Sequence, residues 1–156
     1  MNSDKFFLKR AVEIAGEGID NGNGPFGAVI AKDGKIVSEA VNSVVISKDP
    51  TAHAEILAIR KASEYLGTHD LSDCVLYTSC EPCPMCLGAV YWAGIKKVVY
   101  SAVRDDAKKA GFNDSLIYDE LMLDPSRRKI SFICLKDSGG EEILRKWEKY
   151  EGKIPY

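Results

Sequence analysis

Three good zinc ligands, His53, Cys83 and Cys86, stand at the starts of two stretches that each read as a helix. A chain that puts all three on one ion must bring those helix starts together. Zinc takes imidazole and thiolate ligands, and a catalytic zinc keeps three protein ligands and one open position. Cys83 and Cys86 are three residues apart, which puts them on one side of a helical turn. At a helix start, backbone N–H groups and the dipole favour the thiolate form. Glu55 is two residues beyond His53. Its expected role is not ligation but proton transfer, from an attacking water to a leaving nitrogen. An ideal helix would turn residues 53 and 55 to different sides, so the spacing predicts that His53 sits at the mouth of its helix.

Other readings of these residues stay open. Cys80 could complete a four-ligand structural zinc site, making the protein a non-enzymatic zinc module. That reading leaves Glu55 and Pro82 without roles. Cys80, Cys83 and Cys86 also have the spacing of an iron–sulfur run, but such a run wants a further Cys-Pro four residues on, and position 90 is Val. Outside a metal site, Cys80, Cys74 and Cys134 read as small apolar residues in or near strands, and His69 as surface.

Five cysteines are an odd number, and Met1-Asn2-Ser3-Asp4-Lys5 lacks the basic-then-apolar pattern of a secretory signal. Both argue against a disulfide framework and for a reducing compartment, with the cytoplasm the expected location. No apolar run is long enough to span a membrane. A formal net charge of −2 argues against a dedicated nucleic-acid partner. The 156 residues suggest a single domain with one substantial core.

Along the chain, residues 3–20 read as an amphipathic helix with Phe7, Ala11, Ile14, Ala15 and Gly18 on one stripe and Ser3 as a candidate cap. Asn21-Gly22-Asn23-Gly24-Pro25 ends it. Residues 26–31 and 35–41 read as strands joined by an Asp33-Gly34 hairpin turn. A second helix follows Thr51, its candidate cap, with Ile56, Leu57, Ile59 and Leu66 as apolar positions and Gly67 as its stop. Residues 74–78 read as a buried strand. Pro82 suits the first turn of a third helix running to about Ala93 and ending at Gly94. Residues 97–102 read as a strand, 115–122 as a helix, 130–135 as a last strand, 141–150 as a helix and 151–156 as an extended tail. The order gives an α/β sandwich with a mixed sheet.

The pattern H-x-E followed by P-C-x-x-C is the signature of zinc nucleobase deaminases. Asp49-Pro50-Thr51-Ala52-His53-Ala54-Glu55 together with Thr78-Ser79-Cys80-Glu81-Pro82-Cys83-Pro84-Met85-Cys86 resembles the cytidine-deaminase-like superfamily, and within it the small bacterial guanine deaminases. The resemblance runs from Phe6 to Tyr156. It implies a three-layer α/β/α sandwich around a five-stranded mixed sheet and one catalytic zinc per subunit. It also implies a homodimer whose C-terminal segment, about 140–156, is swapped onto the partner to close the site. By the same resemblance Phe26 packs on the purine, Asn42 binds the base, Trp92 is an aromatic near the pocket, Asp114 binds substrate, and Tyr156 belongs to the covering tail. Ala40 stands where a glycine is common, and Asn113 where a second acidic residue is expected.

Guanine offers donors at N1–H and its 2-amino group, and acceptors at O6 and N7. An ionised Asp114 accepts only, so it suits the donor edge, while Asn42 can donate an amide N–H to an acceptor. Adenine would set its bare N1 against that carboxylate, and unpaired polar groups in a closed site are costly. The expected activity is therefore hydrolysis of guanine to xanthine and ammonia. The alternatives are a tRNA anticodon adenosine deaminase and a guanosine or cytosine deaminase. Asp114 could instead cap the helix from Ser115, Phe26 could be core, and Trp92 could face the core beside Ala89.

Overall fold

A computed structural model describes residues 3–156. The chain divides into two compact units, one running to Asp114 and the other Ser115–Tyr156.

In the first unit, α1 (Ser3–Asp20) leads into a hairpin of β1 (Gly27–Lys32) and β2 (Lys35–Val41). The connecting Asp33 and Gly34 both have positive φ, at 50° and 73°, the backbone a tight two-residue hairpin needs. A short α2 (Val44–Ser47) follows, then α3 (Ala54–Leu66), β3 (Val75–Cys80), α4 (Pro84–Trp92), β4 (Lys97–Ala102) and α5 (Arg104–Lys109). The sheet runs β2-β1-β3-β4. Its β1 pairs are antiparallel and the β3–β4 pair is parallel, so it is mixed as expected.

Alternate residues of β1 serve the two faces. Val29 and Ala31 join Phe7, Ala11, Ile14 and Tyr77 under α1. Ala28 and Ile30 join Ala54, Ala58, Ala62, Leu76 and Val90 under α3 and α4. Two cores on one sheet give the three layers. The stripe predicted for α1 is buried residue for residue. That of α3 is not: its buried face is Ala54, Glu55, Ala58 and Ala62, with the bulkier Ile56, Leu57, Ile59 and Leu66 only half-buried on its flanks. Small residues at i, i+4 and i+8 let the helix lie close to the sheet. Ser38 uses that closeness, donating from its hydroxyl to the Ala58 carbonyl at 2.8 Å.

The expected fifth strand is absent among the described residues. Residues 130–135 form no ladder, and Ile130, Phe132, Ile133 and Leu135 are 53–79% exposed. An alternating apolar pattern makes a strand only where a neighbouring backbone is there to pair with it. The second unit holds α6 (Ser115–Leu121), two 3-10 turns at Pro125–Arg127 and Lys136–Ser138, and α7 (Gly140–Glu148). The tail beyond opens with a turn at residues 151–152 and then has no regular structure. Ser3, expected as a cap, is the first residue of α1 itself.

Gly27 shows how closely α1 lies on the sheet. A Cβ there would overlap the Ala11 carbonyl oxygen and stand 2.7 Å from the Ala15 amide nitrogen. Both are helix backbone and cannot rotate away. Gly27→Ala is expected to cost about 3 kcal/mol, lowering the Tm by roughly 6–12 °C. Thermal unfolding of the purified variant measures this, and an unchanged Tm would refute the close approach.

Candidate metal and catalytic site

The site forms where α3 and α4 begin. Asp49 organises the approach to α3: its Oδ1 accepts from the Thr51 amide at 2.8 Å and from the Thr51 hydroxyl at 2.7 Å. Thr51 is therefore spent on the turn and does not cap the helix. His53 does, with extended backbone (φ −68°, ψ 152°) and its carbonyl accepting from the Leu57 amide at 3.0 Å. This settles the two-residue spacing: His53 stands just outside the helix, and Glu55 lies in its first turn.

Cys83 plays the same part for α4, also extended (φ −67°, ψ 169°), with Pro84 rather than Pro82 at the first helical position. Its carbonyl accepts from the Leu87 amide at 2.8 Å. Cys86 lies in the first turn of α4 and is fully buried. Both motifs thus present their ligands at helix N-termini, where the dipole favours thiolate over thiol.

The Nδ1 atom of His53 is 3.5 Å from the sulfur of Cys83 and 3.5 Å from that of Cys86. A tetrahedral zinc, with Zn–N of about 2.0 Å and Zn–S of about 2.3 Å, sets a nitrogen and a sulfur ligand about 3.5 Å apart. Both nitrogen–sulfur separations therefore already suit the ion, and all three donors lie within 4.8 Å of one another. Among the described residues they are the one histidine-cysteine-carboxylate group of three or more compact enough to hold a metal.

Cys80 lies outside this group. It is buried at the end of β3, and its thiol points at the Val103 carbonyl, 3.8 Å away. The four-ligand structural site loses its fourth ligand, and the three that remain leave a coordination position open, as catalysis requires. Cys80→Ser is expected to keep one zinc per chain within error. Metal analysis by plasma emission reads this directly, and loss of the zinc would restore the structural reading.

Charges around the cluster are strongly coupled. The Cys83 thiol is pulled down to about 4, first by its hydrogen bond with Cys86 and then by His53. The Cys86 thiol is pushed up, first by its hydrogen bond with Cys83 and then by burial. Beside Cys83, His53 is held above its usual range. Glu55 is 6% exposed, and burial pushes its carboxyl up. Glu55, in the first turn of α3 two residues beyond His53, adjoins the ligand cluster without belonging to it.

The remaining expected residues scatter more widely. Asn42, just past β2, is 7% exposed. Its amide N–H donates to the Phe26 carbonyl at 2.9 Å, and its side-chain Oδ1 accepts from the Val44 amide at 3.3 Å. Phe26 precedes β1 and is half-buried, its ring edge-to-face with Phe112 at 4.8 Å and 82°. Asp114 is half-buried at the end of the first unit. Trp92 does not face the core: it is 70% exposed, while Cys86 and Val90 are the buried face of α4. Tyr156, in the second unit, is 82% exposed.

Sequence reading assigned no role to Ser79 or Phe112. Ser79 is buried, and its hydroxyl accepts from the Gly27 amide at 3.0 Å, extending the β1–β3 pairing by one bond. A hydroxyl in a strand carries no signal for this. Phe112 did carry one, as a lone aromatic between a glycine and two polar residues.

Residues 1–102 match the family described as the cytidine and deoxycytidylate deaminase zinc-binding region. Over 96% of its length the chain is 52% identical to the guanine deaminase of Bacillus subtilis, covering 97% of that protein. The crystal structure of guanine deaminase from Bacillus subtilis superposes with a TM-score of 0.94, covering 97% of this chain and 98% of that one. A tRNA-specific adenosine deaminase from Aquifex aeolicus is 47% identical over 69% of this chain and 70% of its own. The match to residues 1–102 takes in all three ligands and Glu55, and the chain belongs to the cytidine and deoxycytidylate deaminase family of zinc-binding proteins.

Proposed function

We propose that this protein hydrolyses guanine to xanthine and ammonia, with His53, Cys83 and Cys86 holding one zinc and Glu55 moving the protons. The observation that carries the chemistry is a buried carboxylate next to a three-ligand cluster whose nitrogen–sulfur separations already suit zinc. The choice of guanine is supported by length of likeness. The Bacillus subtilis guanine deaminase matches 96% of the chain, whereas the Aquifex aeolicus tRNA-specific enzyme matches 69%. A structural relative has also been solved in complex with 8-azaguanine.

Zinc, when bound, acidifies water so that a nucleophile exists near neutral pH. Glu55 accepts the proton from that water, and its burial brings the carboxyl's affinity for the proton closer to that of the groups it exchanges with. The C2–O bond forms first, and the C2–N bond breaks once its nitrogen has been protonated. The proton held by Glu55 passes to the departing nitrogen, and ammonia leaves. Asn42 donates its NH2 to an acceptor of the purine, and Asp114 accepts from N1–H and the 2-amino group. Phe26 gives the ring an apolar face to lie against. Trp92 is the aromatic near the pocket, and the partner's Tyr156 belongs to the tail that covers it.

We read the protein as a cytoplasmic homodimer in which residues 140–156 of each subunit cover the partner's site. The support is chemical: Ile143, Leu144, Ile154 and Tyr156 are 66–82% exposed, and so much apolar surface on one short segment calls for a covering surface. No helix among the described residues is long and apolar enough to cross a membrane.

Ammonia release from the zinc-loaded protein, offered guanine, guanosine, adenine, cytosine and tRNA in turn, tests the substrate. Guanine alone is expected to give ammonia. Release from another substrate would keep the zinc chemistry and overturn the assignment of Asp114 and Phe26. Silence throughout, with zinc bound, would return the protein to the structural class.

A further inference from the structure

The two groups assigned to opposite edges of the purine, Asn42 and Asp114, are 72 positions apart in the chain. Recognition by paired donors and acceptors needs their separation fixed to within a fraction of an ångström. The structure contains a short path of contacts between them. After α5 the chain reverses at Gly111, whose φ of 97° only glycine adopts easily. The next residue, Phe112, anchors the reversal by donating its amide N–H to the Ala107 carbonyl at 2.9 Å. Its ring then meets Phe26 edge-to-face, with centroids 4.8 Å apart and planes at 82°. The Phe26 carbonyl in turn accepts from the Asn42 amide at 2.9 Å. Asp114 is two residues beyond Phe112.

We propose that Phe112 is a positioning residue: its contact with Phe26 latches the loop bearing Asp114 to the strand mouth bearing Asn42, and so sets the spacing of the two base-reading groups. This rests on the guanine reading above. Phe112 is 45% exposed and belongs to neither of the two core clusters. The geometry matters more: an edge-to-face pair fixes the angle between two rings as well as their distance. Phe26, held this way, presents one face in a set orientation. The latch therefore acts on binding of the purine, while Glu55 and the metal ligands, on α3 and α4, are left as they are.

Two variants of the full-length, zinc-loaded protein test it. Phe112→Leu keeps apolar bulk but removes the ring, and Phe112→Tyr keeps the ring. Steady-state kinetics with guanine and equilibrium titration with 8-azaguanine are the readouts. The leucine variant is expected to raise KM for guanine and Kd for 8-azaguanine together, by roughly three- to tenfold, the fold-change equivalent of one aromatic pair. Its kcat and zinc content stay near those of the parent. The tyrosine variant is expected to restore both constants to parental values. A leucine variant with parental KM and Kd overturns the proposal. So does one whose kcat and zinc content fall while KM and Kd hold, because that pattern marks general structural damage. A parent protein that releases no ammonia from guanine is a different failure, seen before any variant is compared, and it removes the substrate reading and this inference together.

Discussion

Glu55→Gln is expected to keep one zinc per chain and to lose nearly all turnover, with kcat down by about 10²–10⁴, the usual worth of a positioned acid–base group. The side chain is 6% exposed and lies in the first turn of α3, so a glutamine of the same shape fits the same space. Folding should not suffer. Burial already disfavours the charged carboxylate, as the upward push on Glu55 shows, and a neutral amide avoids that penalty. Zinc should not suffer either, because the ligand atoms come from His53, Cys83 and Cys86. What disappears is the ability to hold a proton between taking it from water and giving it to nitrogen. Metal analysis, thermal unfolding and ammonia release on one preparation separate the three effects. Activity within a few-fold of the parent would remove Glu55 from the mechanism.

The zinc chemistry was legible because it depends on residue type and short spacing. The separations in H-x-E and C-x-x-C are each set at one helix start, from the cap residue into the first turn, and only the meeting of the two starts needed the fold. The strands β2 and β4 were legible to the residue. The first is pinned by the Asp33-Gly34 turn, and the second is a short apolar run that opens on Lys96-Lys97. The start of α3 was misplaced by a competition that sequence does not reveal: Thr51 was a good cap in isolation, but Asp49 had already engaged its amide and its hydroxyl.

Two other errors share a cause. The core-facing alternative for Trp92 and the strand expected at residues 130–135 both assumed that large apolar side chains seek burial. Yet Trp92 is 70% exposed and Ile133 79%. Hydrophobic pattern reports that a residue wants a neighbour, not where the neighbour is. The same holds for α3, where the alanines rather than the isoleucines face the sheet, because available depth rather than apolar size decides the contact. Residues that meet through a single long-range contact, such as Phe112 and Phe26, are the hardest to read, since neither position names its partner.

Cys86→Ala should remove zinc and reduce ammonia release to background. Cys86 has no exposed surface and supplies one of the two sulfurs 3.5 Å from His53 Nδ1. Without it two protein ligands remain, below the three that catalytic zinc sites keep. Metal loss also has a thermodynamic signature. A ligand that binds only the folded chain stabilises it by about 4 kcal/mol at a thousandfold excess over its Kd. Most of that stabilisation belongs to the ion and not to the packing of one sulfur. The parent protein stripped by a chelator should therefore fall in Tm by nearly as much as Cys86→Ala does, while the chelator should shift the variant no further. Such strong non-additivity is what two routes to one lost interaction produce. The contrast with Cys80→Ser completes the argument, since two buried cysteines six positions apart would then differ entirely in metal content. A Cys86→Ala protein that still carried stoichiometric zinc would mean that another side chain had joined the set, and the three-ligand site with its open position would have to be redrawn.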